Sequence, residues 1–393
     1  MKVGRRFRAE LTEAQARLAQ ETAHACRAVW NTGLEQRREY RRRGAWMNYE
    51  GQAHELVEAK VEHPWLKQVP SHCLQQTLRD LDEACRRHGT FKVRWRSERR
   101  WVPSFRCPDG SRMALEKLNR RTSQVKLPKL GWVKFHASRC LDAETIRSAT
   151  LTREGKHWFL SFVVEDGIAT PAEHALTGTA VGVDRGVVVA VATSAGDLFD
   201  RVFTTPGEQR RALWLQRKLS RAARSSVNRN KTREALGKVR ARERRRRQDF
   251  CQKTAGQLAQ KNAVVVLENL PVRNMTRRAR PAADPAKPGQ CLPNGGSAKS
   301  GLNRAILSKG WSCFEVALKS ASRYSGTQVV KVPAAFTSQR CSACGHVDPK
   351  SRESQAVFRC THCSRPAEHA DVNAAKNILA AGLLAVSACG DDP

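Results

Sequence analysis

Four cysteines set as two Cys-x-x-Cys knuckles, Cys341/Cys344 and Cys360/Cys363 with 15 residues between the inner pair, constrain this chain more than any other feature. A two-residue gap lets both thiolates of a knuckle face one ion, and tetrahedral zinc needs four soft or borderline ligands converging from two turns. The spacing predicts a ribbon over 337–366 holding one structural Zn²⁺, with Gly345 supplying the positive φ of the turn. Four buried free thiols are the competing reading, and they would have to reproduce the spacing by accident. Beyond the second knuckle, Asp371 opens a stretch in which Ala374, Ala375, Ile378 and Leu379 recur at helical spacing. Taken alone, Asp371 is an ordinary N-cap.

Charge points to a polyanionic partner. The 393 residues carry 70 Lys+Arg against 37 Asp+Glu, a formal +33, far beyond what solubility requires. A membrane surface is the rival polyanion, but no apolar run approaches the roughly 20 residues of a span. The start, MKVGRRFRAELTEAQ, lacks the apolar core of a signal peptide. Thirteen cysteines, an odd number, suit a reducing compartment, so the cytoplasm of a bacterium or archaeon is expected, beside the nucleoid. Cys26, Cys73, Cys85, Cys140, Cys251 and Cys313 read as small core residues.

Along the chain, residues 2–9 alternate as a strand. A helix starts at Thr12 and runs toward Tyr40; a second spans 50–62 before Pro64; a third follows Pro70 with Ser71 as cap and Leu74, Leu78, Leu81 and Cys85 on its buried face. Its outer face carries Gln75 and Gln76, which suit bidentate bonds to adenine but equally suit a solvated face. From Phe91 to Arg106, basic and aromatic residues interleave with strand-like alternation: Lys92, Arg94 and Arg96 on one side, Val93 and Trp95 on the other. Such a surface can neutralise phosphates while its rings stack on bases or on the sheet core; the competing reading is a strand with a solvated basic face. Strand-like pieces at 124–127, 132–136, 148–152 and 158–164 complete an all-β unit into which the early helices are inserted.

A new unit opens at Thr177 with a strand ending at Asp184, a turn at Arg185–Gly186, a second strand over 187–192 and a third after Gly196–Asp197. Residues 209–247 read as intensely basic helix, 16 Lys+Arg less Glu234 and Glu243, net +14, ending in the run Arg244, Arg245, Arg246, Arg247. That is a phosphate-binding surface by electrostatics, or else a solvated face. The strand Val264–Leu267 ends at Glu268, at a sheet rim where sites are built. Residues 277–300, rich in proline and glycine, read as a mobile loop or lid, followed by a helix over 303–322 and a strand over 328–332.

Strand, hairpin, strand, helix, strand, helix, strand, helix is the element order of an RNase H-like domain. Acids at the end of its first strand, the end of its fourth and the start of its last helix meet across the sheet, and Asp184, Glu268 and Asp371 stand at those places. Three clustered carboxylates cannot all stay ionised without positive charge between them. Two Mg²⁺ ions, hard and oxygen-seeking, meet that need and suit phosphodiester hydrolysis.

Together GVDRG around Asp184, VLENL around Glu268 and CSAC…CTHC running into HADVNAAKNIL resemble the TnpB family of transposon-encoded RNA-guided nucleases, whose RuvC-like core recurs in compact type V CRISPR effectors. The resemblance implies an α+β multidomain fold. A wedge-like β-barrel (1–11 and 89–176) would be interrupted by a helical recognition insertion (12–88). A RuvC-like α/β nuclease domain (177–336 and 367–384) would carry the inserted zinc ribbon (337–366), and a tail (385–393) would follow. It further implies a guide RNA, target double-stranded DNA read beside a short motif, and cleavage by Asp184, Glu268 and Asp371 with magnesium. A miniature CRISPR effector and a non-cleaving zinc-ribbon binder remain as rivals.

Overall fold

The computed structural model describes residues 2–390 apart from 99–100, 139–140, 143–144, 286 and 288, with side chains described as far as Ser387. Cys140 lies outside the described residues. The chain divides into two compact units, Met1–Ile168 and Ala169–Pro393.

The first unit runs β1 (Lys2–Glu10), α1 (Glu13–Arg42), α2 (Tyr49–Glu62), α3 (Trp65–Gln68), α4 (Ser71–His88), β2 (Ser104–Cys107), β3 (Leu115–Lys117), β4 (Thr122–Leu127), β5 (Gly131–His136), β6 (Ile146–Glu154) and β7 (His157–Glu165). Its seven strands form one antiparallel sheet in the order β2-β6-β7-β1-β5-β4-β3. Strand β1 pairs with β7 from Lys2↔Glu165 to Ala9↔Trp158, so the first strand is completed only after four helices have intervened. Phe7, Phe135 and Phe162 pack ring to ring beneath it at 5.2–6.0 Å. Thr12 caps α1 in a reciprocal box with Gln15, as its sequence predicts. At α4 the expected cap is displaced by one residue: Pro70 holds the N-cap place, and the Ser71 hydroxyl instead accepts from Lys60 at 3.1 Å. A buried ion pair, Arg37–Asp82 at 2.7 Å, with Arg37 also donating to Gln52 at 2.7 Å, ties α1, α2 and α4 together.

Two expectations fail here. Residues 91–98 and 101–103 form no strand, and the sheet is open, because among the described residues β2 pairs only with β6 and β3 only with β4. The main-chain carbonyls of Val93, Arg94 and Arg96 are taken by the side chains of Arg38, Trp30 and Asn31, at 2.8, 3.2 and 3.3 Å. Backbone groups satisfied in this way need no neighbouring strand, so no barrel closes through this segment.

The second unit runs β8 (Ala180–Asp184), β9 (Val191–Thr193), β10 (Leu198–Phe199), α5 (Pro206–Arg221), α6 (Val227–Lys261), β11 (Val264–Glu268), α7 (Val272–Met275), α8 (Gly296–Lys309), α9 (Trp311–Ser325), β12 (Gln328–Val332), β13 (Val357–Phe358), β14 (Glu368–His369) and α10 (Ala370–Gly390). The main sheet is ordered β10-β9-β8-β11-β12, antiparallel across the first three strands and parallel from β8 to β12. The strand predicted over 187–192 shrinks to Val191–Thr193, since Trp311 Nε1 donates to the Gly186 carbonyl at 3.1 Å and Lys309 Nζ to that of Val188 at 2.6 Å. The basic helix is two helices, broken at 222–226, where Arg229 donates to the carbonyls of Leu219 and Ala222. The helix predicted over 303–322 begins at Gly296 and breaks at Gly310, whose φ of 76° leaves the helical region.

Helix α10 lies directly on the sheet. A Cβ at Gly182 of β8 would stand 2.0 Å from the Ala375 carbonyl, and one at Gly382 2.4 Å from both Val266 methyls. Backbone cannot yield as a side-chain tip does, so Gly182→Ala is expected to destabilise by about 1–3 kcal/mol or more, read as a lower denaturant midpoint at unchanged slope. An unshifted midpoint would mean that α10 does not rest on β8.

Candidate functional site

Strands β8 and β11 run parallel with Val183 opposite Leu267, so Asp184 and Glu268 follow side by side at neighbouring strand ends. The first turn of α10 brings Asp371 to the same rim, and a Cβ on Gly186 would lie 3.3 Å from its Oδ2. All three acids are buried, at 9%, 7% and 5% exposure. Burial first, then the charges of Glu268 and Asp371, push the Asp184 carboxyl up to about 7 against the pull of Arg352. Burial also raises Glu268, although Thr337 Oγ1 donates to its Oε1 at 2.5 Å and Arg185 is near. The Arg185 guanidinium donates to the Glu268 main-chain carbonyl and lies 3.6 Å from Glu315 of α9, which links the two strand ends to that helix.

Sequence reasoning missed Arg352. It lies between the knuckles, where a basic residue passes for ribbon surface, yet its Nη2 sits 2.9 Å from Asp371 Oδ1. In this structure the guanidinium offsets part of the negative charge of the three buried carboxylates, and the Asp184 carboxyl stays raised in spite of it. With Arg352 on Asp371 and Thr337 on Glu268, the acids are not drawn into one tight ligand set. Among the described residues, only the four cysteines form a group of three or more ligands with all donor atoms within 4.8 Å of one another.

Those cysteines match a tetrahedral ion closely. Cys341 and Cys363 Sγ are 3.8 Å apart, and Cys344 and Cys360 Sγ 3.7 Å. Bonds of roughly 2.3 Å to zinc at tetrahedral angles place sulfurs roughly 3.8 Å apart. The Cys360 thiol is held down to about 6, chiefly by the Cys363 main-chain N–H and then that of His362, each 3.4 Å from the sulfur. Gly345 has φ 78°, as the knuckle turn predicts. Two further residues join ribbon to helix. Asn373 accepts from Ser342 N at 2.9 Å and donates to the Arg340 carbonyl at 2.8 Å, while Asn377 donates to the carbonyls of Thr337 and Arg340 at 2.9 and 2.7 Å. Two asparagines one turn apart on an otherwise apolar face were the legible signal.

Of the candidate nucleic-acid contacts, Gln75 and Gln76 are half-buried on α4, and Gln76 donates to Asp80 at 2.8 Å. Arg94 and Trp95 are exposed, whereas Arg96 stacks on Trp30 with its carbon 3.7 Å from the ring centroid. Along α6, Arg244 and Arg245 are exposed; Arg246 pairs with Glu208 at 2.6 Å, and Arg247 with Glu243 at 3.2 Å and the Ser308 carbonyl.

The fold and the segment that carries the cysteine ribbon are shared with known proteins. Residues 161–279 match the OrfB_IS605 family, described as "Probable transposase"; residues 311–378 match a Cas12f1-like TNB domain. Residues 1–45 match the associated helix-turn-helix domain, and here they form β1 followed by the uninterrupted α1. The chain is 36% identical over 379 residues to RNA-guided DNA endonuclease InsQ of Escherichia coli (strain K12), covering 94% of this chain and 89% of the relative. It is 31% identical over 402 residues to an RNA-guided DNA endonuclease of Streptomyces pristinaespiralis, covering 98% and 90%. The fold resembles Cas12f1 in a cryo-EM structure of the Cas12f1-sgRNA-target DNA complex, with TM-score 0.54, 15% identity, and coverage of 93% of this chain and 82% of that one. The chain belongs to the TnpB family, the OrfB proteins of IS605-type transposons.

Proposed function

We propose that the protein is an RNA-guided DNA endonuclease of the RuvC type, cutting target DNA beside a short motif by metal-dependent phosphodiester hydrolysis. The observation that carries this reading is the burial of Asp184, Glu268 and Asp371 together at one sheet rim, in a chain of this family. Hard carboxylate oxygens that are buried together and repel one another suit Mg²⁺, and the three acids would hold it. When bound, divalent cations supply an activated water and stabilise the leaving oxygen. Thr337 holds Glu268 by a hydrogen bond, Arg352 holds Asp371, and a guanidinium at that place would also suit the negative charge of a phosphodiester. The Cys341/Cys344/Cys360/Cys363 set would hold one structural zinc, and Asn373 and Asn377 tie that ribbon to α10.

The first unit is assigned as wedge plus helical recognition insertion, and the second as RuvC-like domain plus ribbon, with guide RNA and target double-stranded DNA as partners. Near-full-length likeness to InsQ favours a guide from a transposon end. The match of residues 311–378 to a Cas12f1-like domain keeps a CRISPR-derived guide as the second reading. Sequencing the RNA that copurifies separates them, and cutting of a matched duplex with that RNA and Mg²⁺ tests both. A preparation that binds the RNA and DNA but never cuts would leave the binder reading standing.

The basic face of α6 is expected to work through Arg244 and Arg245. Replacing both with Gln should lower the log–log salt dependence of duplex binding by about 0.9 for each phosphate that the pair neutralises. An unchanged slope would make this run a solvated face only.

A further inference from the structure

The end of α1 and the segment after α4 hold aromatic rings in water on a cationic support. Helix α1 ends in Arg41 and Arg42 with Arg43 as its C-cap, and Gly44, at φ 75°, reverses the chain, with Ala45 N bonding back to the Tyr40 carbonyl at 2.8 Å. Trp46 therefore folds back beneath Arg41, whose guanidinium carbon is 4.3 Å from the ring centroid, and stays 54% exposed. Helix α4 ends at Gly89, φ 83°, and the chain returns alongside α1. That returning segment is pinned: Arg38, Trp30 and Asn31 hold its carbonyls, and Val93 enters a small core with Trp30, Leu34, Leu81 and Cys85. Yet it leaves Trp95 at 41% and Phe91 at 57% exposure, with Arg38 4.8 Å from the Trp95 centroid.

A loop that buries a valine while holding two larger rings in solvent is not simply badly packed. Arg38 and Arg41 lie one helical turn apart, about 5 Å along the axis, so the rings they carry sit on adjacent turns. Each guanidinium covers one side of its ring and leaves the other side to a second π system. Lys92 and Arg94 are exposed nearby, and Glu39 is already paired with Arg42. Open π faces within positive charge fit unstacked nucleobases joined by phosphates. A duplex keeps its bases stacked on one another and offers no such face.

We infer that the end of α1 and segment 89–96 form a stacking site for unpaired nucleotides, with Trp46 and Trp95 as its platforms. The site deepens the nucleic-acid reading above but does not depend on cleavage. Its test uses the full chain freed of copurified nucleic acid, with short oligo(U), oligo(dT) and a duplex of equal length as probes. The Trp46→Ala/Trp95→Ala variant should lose roughly 10²-fold in single-strand affinity, keep its duplex affinity and keep its salt slope, because stacking releases no counterions. Trp46→Phe/Trp95→Phe should recover most of the loss, which a merely unfolded segment would not allow. Preference for oligo(U) assigns the site to RNA, and equal loss on both probes assigns it to single strands in general. An unchanged affinity, or equal losses on single strand and duplex, would overturn the inference. Wild type that cuts matched DNA while the tryptophan variants bind normally sinks the stacking site alone; wild type that never cuts while the loss persists sinks the nuclease alone.

Discussion

Asp184→Asn, Glu268→Gln and Asp371→Asn should each abolish guided cutting while leaving guide and target binding within a few-fold of wild type. Loss of an outer partner of a metal site typically costs 10–100-fold, so loss of a ligand itself should exceed that, on the order of 10³-fold or more in rate. The three acids share one rim, and Asp184 feels the charge of both others, so a single neutral amide disrupts the whole set. The same substitution should not harm the fold. Asp184 is buried against like charges, and an isosteric amide removes that repulsion, so the melting temperature of metal-free Asp184→Asn should equal or exceed that of wild type. Cleavage and melting curves on the same preparations check both halves. Retained cutting in any one of the three variants would remove that residue from the chemistry, and a large drop in melting temperature would make it a structural residue.

Removing zinc should have the next largest effect. Cys341→Ser takes away one of four sulfurs whose spacing already matches a tetrahedral ion, and a thiolate ligand cannot be replaced by a hydroxyl at comparable strength. Structural zinc contributes about 10–16 kcal/mol in small finger peptides, so the ribbon, which has only Phe358 and Ala370 packed among its cysteines, should not hold its fold without the ion. The consequence reaches the acids through α10. Asn373 and Asn377 lose the carbonyls of Arg340 and Thr337, Arg352 loses its position on Asp371, and the first turn of the helix frays. Zinc content by elemental analysis should fall below one per chain. Amide exchange should quicken at residues 337–377 but not in β8 or β11, and cutting should fall in proportion to zinc lost. Full activity from a zinc-free preparation would detach the ribbon from the catalytic centre.

Much of this was legible from the chain because it is local. Each Cys-x-x-Cys spacing needs only one short turn to bring two sulfurs to one point, and Gly345 marks one of the two turns. Thr12 and Gln15 announce the start of α1, since a capping box is closed within one turn. Where reading failed, the missing information was a distant partner. The interleaved stretch from Phe91 looks like a strand because alternation is the signal for one, but its carbonyls are claimed by side chains some 60 residues earlier in α1. Residues 187–190 read as strand until Trp311 and Lys309 take the backbone groups that pairing would have used. On α6, Arg246 and Arg247 are held in ion pairs with Glu208 and Glu243, which no charge count reveals.

By itself the amino-acid order determined which atoms are present for chemistry: four thiols at ligand spacing, three acids at element ends, and an excess of positive charge. Tertiary structure alone decided how those groups are occupied, because burial and neighbouring charge act through space. It set Arg352 on Asp371, drove Asp184 up to about 7, and left Trp46 and Trp95 in water while Arg96 was folded away on Trp30.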